Sequence, residues 1–429
     1  MKNFIKYQQA VEYLESLVNL RQQKDYLSDR SKPEIFIKRT KYFLKLLGNP
    51  EKGMKFIHVT GTAGKGTVAT MVQEILQAAD HKVGLFTSPF VTTTIEKIRV
   101  NDKYISPHQY SQLVEELKTY IDCAYRKSPY GGPSYFEIIF ALALLYFKRQ
   151  RCRWVILEAG MGGAYDATNI VARPEITAIT NVGFDHMHLL GDTLDSIARD
   201  KAGIIKSGSH FFTTETRPFL RRLFINVCRK KKAHFHLVGC KADKPAGSHH
   251  PQNIALAEAI TRHLGIIKKV MNKGLANTHL PARWEVVQRR PMVILDGAHS
   301  QPKITAVVDN LRKMKRGKLI LVFALAANKK ARDILKQIVP LADTIYFTRF
   351  QTVHRKAYVP SELADIAKSY KKKGAKYYSY LDPNQALDQA MRQAKNSDLV
   401  LITGSFFLAG DLRKRWISEE KILSGLGSF

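Results

Sequence analysis

Two unbroken apolar runs, RWVILEAG at 153–160 and EITAITNVG at 175–183, decide the fold class. A strand with one wet face alternates apolar and polar residues. These runs do not alternate, so both faces are covered, as in a parallel sheet with helices above and below it. KFIHVTG at 55–61 leads into KGTVATMVQEILQAAD, whose apolar residues recur at helical spacing, and KVGLFTSP follows. HFFTTE and AHFHLVG continue the alternation to residue 239. After a polar, irregular stretch at 272–290 it restarts with PMVILDGAH, KLILVFALA, DTIYFTRF, AKYYSYL and LVLITGS. The pattern predicts an α/β chain in two parts: a larger parallel-sheet domain with N-terminal helices over 1–280, then a smaller Rossmann-like α/β domain over 281–429. Ligands commonly sit in the cleft between two such bodies, and 272–290 is the expected hinge.

The first strand runs into FIHVTGTAGKGTVAT, Phe56 to Thr70. Strand, glycine turn and helix start together make a cradle for phosphate, because backbone N–H groups and the helix dipole converge there. Gly61, Thr62, Ala63, Gly64, Lys65, Gly66 and Thr67 form the turn. The order G-T-A-G-K-G-T differs from the common G-x-x-x-x-G-K-[ST], so this is a variant phosphate loop. Lys65 brings a full positive charge, and the Thr67 hydroxyl can reach a magnesium ion.

Composition narrows the class further. The longest apolar run, Ile138 to Phe147, is too short to cross a bilayer and reads as a buried helix. The first residues, MKNFIKYQQAVEYLESL, carry charge throughout, so no secretory leader and no membrane partner are expected. Cys123, Cys152, Cys228 and Cys240 show no metal-type spacing and suit reduced thiols in a cytoplasm. The net charge of +31 is spread along the chain, in short runs at helix ends such as Arg229–Lys232. It accompanies no nucleic-acid motif, so anionic small molecules are the favoured partners.

A bound triphosphate needs metal ligands at neighbouring strand ends. Glu158 ends RWVILEAG, and His186 follows EITAITNVG; with Thr67 they form a candidate Mg²⁺ set. GMGGAYDATN, Gly160 to Asn169, is a glycine turn with Asp166, Thr168 and Asn169 as its polar groups. DGAHS places Asp296 and His299 at the end of a strand in the second domain, for ribose, adenine or phosphate.

The motifs T-G-T-x-G-K-G-T, T-S-P, E-x-I-x-x-N, Y-F-E, E-x-G-x-G-G-x-x-D-A-T-N, D-H, D-K-A-G-I-I-K, P-A-R-W-E, D-G-A-H and T-G-S occur in that order along the chain. This order resembles the folylpolyglutamate synthase/dihydrofolate synthase family, ATP-dependent ligases related to the Mur ligases. The resemblance implies that Gly61 to Thr67 bind ATP, with catalytic Lys65 on its terminal phosphates. It implies Mg²⁺ at Thr67, Glu158 and His186, and a carbamylated, catalytic Lys201. Asn253, Arg283, Asp296 and His299 would contact nucleotide, and Ser405 is a further match. Ser88, Pro89, Asp166, Thr168 and Asn169 would face the pterin-bearing substrate. The implied reaction joins L-glutamate to dihydropteroate, to a folate, or to both, through an acyl phosphate; a monomer is expected.

Four positions and one short stretch depart from the family pattern: Ala63, Phe90, Ala164, Ser300 and Asn328–Ala331. None removes a phosphate or metal ligand, and several touch substrate-facing or cleft positions, so they bear on substrate choice. Two alternatives stay open: a Mur-type ligase for another acid or amine, and a lapsed nucleotide-binding or RNA-associated protein.

Overall fold

The computed structural model describes residues 2–20, 33–184, 186–239, 251–352 and 355–429, so Cys240 lies outside the described residues. Eight strands form the first sheet: β1 Lys55–Thr60, β2 Val83–Phe86, β3 Ile98–Val100, β4 Lys103–Tyr104, β5 Trp154–Glu158, β6 Ile176–Ile179, β7 His210–Thr213 and β8 His234–Leu237. Their order is β4-β3-β2-β5-β1-β6-β7-β8. Neighbours from β2 to β8 run parallel, and β3 and β4 add an antiparallel edge. The unbroken apolar run of β5 is buried at every residue, as a strand covered on both faces requires.

Helices Lys2–Ser16, Glu34–Leu46, Pro107–Lys127 and Tyr135–Arg149 pack on one face, and Lys65–Ala78, Pro251–His263 and Lys268–Ala276 on the other. The ten-residue apolar run becomes the helix Tyr135–Arg149, opened by a capping box between Ser134 and Glu137. Glu137 is buried. Desolvation pushes its carboxyl up, and the buried Arg39 guanidinium, 2.8 Å away, opposes that. No helix among the described residues is long and apolar enough to cross a membrane.

The second sheet comprises β9 Glu285–Arg289, β10 Met292–Leu295, β11 Leu319–Phe323, β12 Thr344–Phe347, β13 Lys376–Ser379 and β14 Leu399–Thr403. Its order is β13-β12-β11-β14-β10-β9, parallel except for β9 against β10. The 272–290 stretch is therefore more ordered than its polarity suggests. It holds the end of the helix Lys268–Ala276, which packs on Lys65–Ala78, and all of β9.

The chain then returns to the first sheet. Ile422 and Leu423, on the helix Glu419–Gly425, join the core formed with Leu14, Tyr110 and Phe140. The Tyr104 N–H donates to the Leu426 carbonyl at 2.9 Å. Fully buried Arg413 ties the two sheets, donating to Glu285 at 2.8 Å, to the Thr92 hydroxyl at 3.1 Å and to the Ser428 carbonyl at 2.5 Å. A buried guanidinium needs this many acceptors to offset its desolvation.

Candidate active site

The phosphate loop occupies the turn between β1 and the helix that begins at Lys65. Gly64, at φ 81°, sits in the left-handed region, which a side chain would strain. The loop is clamped from the end of β6. Ala63 N–H donates to Asn181 Oδ1 at 3.0 Å, and the Ala63 carbonyl accepts from Thr180 Oγ1 at 2.6 Å and Asn181 Nδ2 at 3.1 Å. The Thr62 hydroxyl and the Gly183 backbone exchange two more bonds, at 2.9 and 3.0 Å. Thr180 and Asn181 escaped sequence reasoning because nothing local marks a side chain that serves a loop more than 110 residues away.

Lys65 Nζ donates to the Gly61 carbonyl at 3.2 Å, so the ammonium lies over its own loop. Glu158 ends β5 next to the start of that helix; a Cβ on Gly66 would come 3.0 Å from its Oε2. Glycine at 66 therefore lets the carboxylate approach the loop closely. Glu158 Oε2 accepts the Ser88 N–H at 3.0 Å. Burial pushes its carboxyl up, opposed by Lys65, the Ser88 N–H, Arg283 and Lys303. Thr67 is buried on the first turn of the helix that begins at Lys65. A buried carboxylate and a hydroxyl at a helix start offer the oxygen donors a hard divalent ion prefers, so the residues fit such an ion. His186 opens the short helix Met187–Leu190, three residues beyond the Gly183 clamp, with a left-handed backbone at φ 52°.

The second sheet supplies the opposite wall. Asp296 ends β10 with both oxygens engaged, by Trp284 N–H at 2.9 Å and Ala298 N–H at 2.8 Å. Burial raises its carboxyl against the pull of Arg283. Burial holds the Arg283 guanidinium below its usual value, opposed by Asp296 and Glu158, and its charge lies 4.2 Å over the Phe406 ring. His299 Nδ1 is 2.7 Å from the Gly297 carbonyl, which can only accept, so Nδ1 carries the proton and Nε2 accepts from Lys303 at 3.1 Å. Gly66, Ser88, Phe90, Glu158, Arg283 and Phe406 line one cleft, which both bodies build. Pro89 lines it as well. Asn253 reaches the loop from the first turn of its helix, close enough that a Cβ on Gly64 would meet its Oδ1 at 2.4 Å.

Three side chains expected to face a substrate turn inward. The Thr168 hydroxyl donates to Asp166 at 2.5 Å, and Asp166 also holds the Met161 N–H at 2.9 Å. Asn169 Nδ2 donates to the Ala164 and Gly203 carbonyls at 2.8 and 3.2 Å. The reason is physical: a tight glycine turn leaves backbone groups unpaired, and these side chains satisfy them. Ser405 likewise caps the helix Phe406–Arg413, accepting the Phe407 N–H. Lys201 is 3% exposed on the last turn of the helix Leu194–Ala202.

Beneath the Asp166 turn, His58 of β1 is fully buried, its Nε2 at 2.8 Å from Thr168 Oγ1. Burial, with Lys206 adding to it, pushes its pKa from 6.5 down to about 3. The unfolded chain takes up a proton below pH 6.5 that the folded chain refuses until about pH 3, so stability falls as pH drops through that window. By pH 5 the loss from this group is about 2 kcal/mol. Urea unfolding at pH 7 and pH 5 checks it: the decline should be shallower by that amount in His58→Gln.

The description Mur ligase middle domain matches residues 59–264, and Mur ligase, glutamate ligase domain matches residues 282–406. Over 412 residues the chain is 31% identical to the dihydrofolate synthase/folylpolyglutamate synthase of Bacillus subtilis, covering 88% of this chain and 94% of that one. The fold is similar to the crystal structure of folylpolyglutamate synthase from Thermotoga maritima, with a TM-score of 0.80, 27% identity, and 96% and 97% of the two chains covered. It is also similar to the bifunctional folylpolyglutamate synthase/dihydrofolate synthase of Yersinia pestis, solved with AMPPNP and a Mn ion. There the TM-score is 0.81 and the identity 25%, with 95% of this chain and 97% of that one covered.

Proposed function

Because the chain belongs to the dihydrofolate synthase/folylpolyglutamate synthase family of Mur-type ligases, we infer that it uses ATP to join L-glutamate to dihydropteroate, to a folate, or to both. It is an ATP-dependent carbon–nitrogen ligase. One observation carries the reading for this chain's own residues. The buried strand-end carboxylate of Glu158, under the charge of the loop lysine, lines one cleft with Arg283, and both parts of the chain contribute to that cleft.

A carboxylate resists attack by an amine because its leaving group would be oxide. Transfer of the γ-phosphoryl group to that carboxylate releases ADP and leaves an acyl phosphate. The glutamate amine then attacks the acyl carbon and phosphate departs. In this scheme the Thr62 and Ala63 N–H groups stay on Asn181, while the backbone N–H groups of Gly64 to Thr67 and the Lys65 ammonium hold the terminal phosphates and stabilise charge on the transferring group. Mg²⁺, held by Thr67, Glu158 and His186, supplies further charge neutralisation when bound. Asn253, Arg283, Asp296 and His299 would contact the nucleotide, the last three from the second sheet. Ser88 and Pro89 take the pterin acid in the cleft, while Asp166, Thr168 and Asn169 shape the turn behind it.

Lys201 fits carbamylation on one count. Its amine is buried on the last turn of its helix, inside the protein rather than in bulk water. As a carbamate it would offer oxygen to a second metal ion. We further propose a division of the chain near residue 280, and a monomeric cytoplasmic enzyme with small-molecule substrates.

The test is an ADP-release assay with ATP, Mg²⁺ and L-glutamate, screened against dihydropteroate and reduced folates. Product mass spectrometry reads the added glutamyl unit. ADP release that depends on both a pterin acid and glutamate is expected. Release no higher than the acid-free background with every substrate would overturn the reading.

A further inference from the structure

Far from the cleft, the edge of the first sheet carries a group of histidines. In the parallel register of β7 and β8, His210 lies opposite His234 and Phe212 opposite His236. Alternation along each strand puts these four rings on one face. The helix Pro251–His263 covers β7 and brings His263 onto the group from its last turn. His210 Nδ1 is 3.0 Å from His236 Nε2, and the His263 ring lies 4.1 Å from that of His210 and 5.4 Å from that of His236. One ring nitrogen from each of His210, His236 and His263 lies within 4.8 Å of the other two.

Nitrogens bound tetrahedrally to one ion at ~2.0–2.1 Å sit roughly 3.3 Å apart, so small ring rotations complete the set. Two stacks already orient the rings: Phe212 against His236 at 4.4 Å and 10°, and His234 against His210 at 4.6 Å and 18°. His263 is exposed, which leaves an approach for the ion. Three imidazoles suit zinc, nickel or copper and offer nothing to the oxygen-seeking ions of a phosphate site.

We propose that His210, His236 and His263 form a binding site for a zinc-like divalent ion, joining the sheet edge to the helix that carries Asn253. The ten residues from Asn253 to His263 span about 15 Å of helix, so this site is separate from the phosphate loop.

The experiment uses tag-free protein, stripped with chelator and kept in excess Mg²⁺, titrated with Zn²⁺ by calorimetry and with Co²⁺ by visible absorption. One Zn²⁺ per chain and the absorption of nitrogen-ligated Co²⁺ are expected. His263→Gln should weaken Zn²⁺ about tenfold or more and remove the Co²⁺ band, while ligase turnover with Mg²⁺ stays unchanged. His210→Gln should act in the same way; should it fail to fold, the exposed His263 variant decides. Glu158→Gln should leave both metal readouts as they are, which separates this site from the proposed Mg²⁺ ligands. Zn²⁺ binding unaltered by His263→Gln, or no binding to the parent protein at 100-fold excess over the chain, would overturn the proposal.

Discussion

Lys65→Ala is expected to lower ADP-forming turnover by about 10²–10³-fold, the usual cost of removing one preorganised donor at developing charge. The ammonium lies over its loop, bonded to the Gly61 carbonyl. Truncation removes that weak backbone contact, and the clamps from Thr180 and Asn181 remain. Thermal unfolding should therefore change little. There is a second route to the loss. Lys65 is the leading influence that lowers the Glu158 carboxyl against burial, so its removal favours a protonated Glu158. Single-turnover ADP formation beside a thermal melt checks the prediction. Turnover within threefold of the parent would remove Lys65 from the chemistry.

Glu158→Gln carries the second large effect, a fall of roughly 10²–10³-fold at saturating ATP, together with a higher Mg²⁺ requirement. The amide oxygen can still accept the Ser88 N–H, so the strand end keeps its hydrogen bond and only the negative charge is lost. Burial disfavoured that charge in the first place. The variant should consequently be as stable as the parent or slightly more so, while being far less active. Metal titration of the residual rate, set beside urea unfolding, separates the two expectations. An unchanged Mg²⁺ requirement would rule out Glu158 as a metal ligand.

Much of this arrangement was legible in the residues because it depends on runs rather than pairs. The continuous apolar strands and the G-K-G-T turn are local patterns, and Glu158 and Asp296 are recognisable as polar groups that end buried strands. Two kinds of feature were not legible. β4 has two residues and β9 mixes Val286 and Val287 with Glu285, Gln288 and Arg289, so neither has a period long enough to read. Side chains whose partners lie far along the chain form the other kind. Asn181 on Ala63 and Thr168 between Asp166 and His58 depend on contacts that only the folded sheet creates. The same holds for the histidine group, whose members are 26 and 27 residues apart along the chain.

The return of the helix Glu419–Gly425 to the first sheet has a consequence for synthesis on the ribosome. Ile422 and Leu423 complete a core whose other members are all made by residue 171. The N-terminal body must therefore emerge with part of its apolar surface uncovered while the intervening segment is translated. At ~5–20 residues per second that interval is of order ten seconds or more. Nascent chains arrested before residue 419 should accordingly bind chaperones more strongly than chains released at full length.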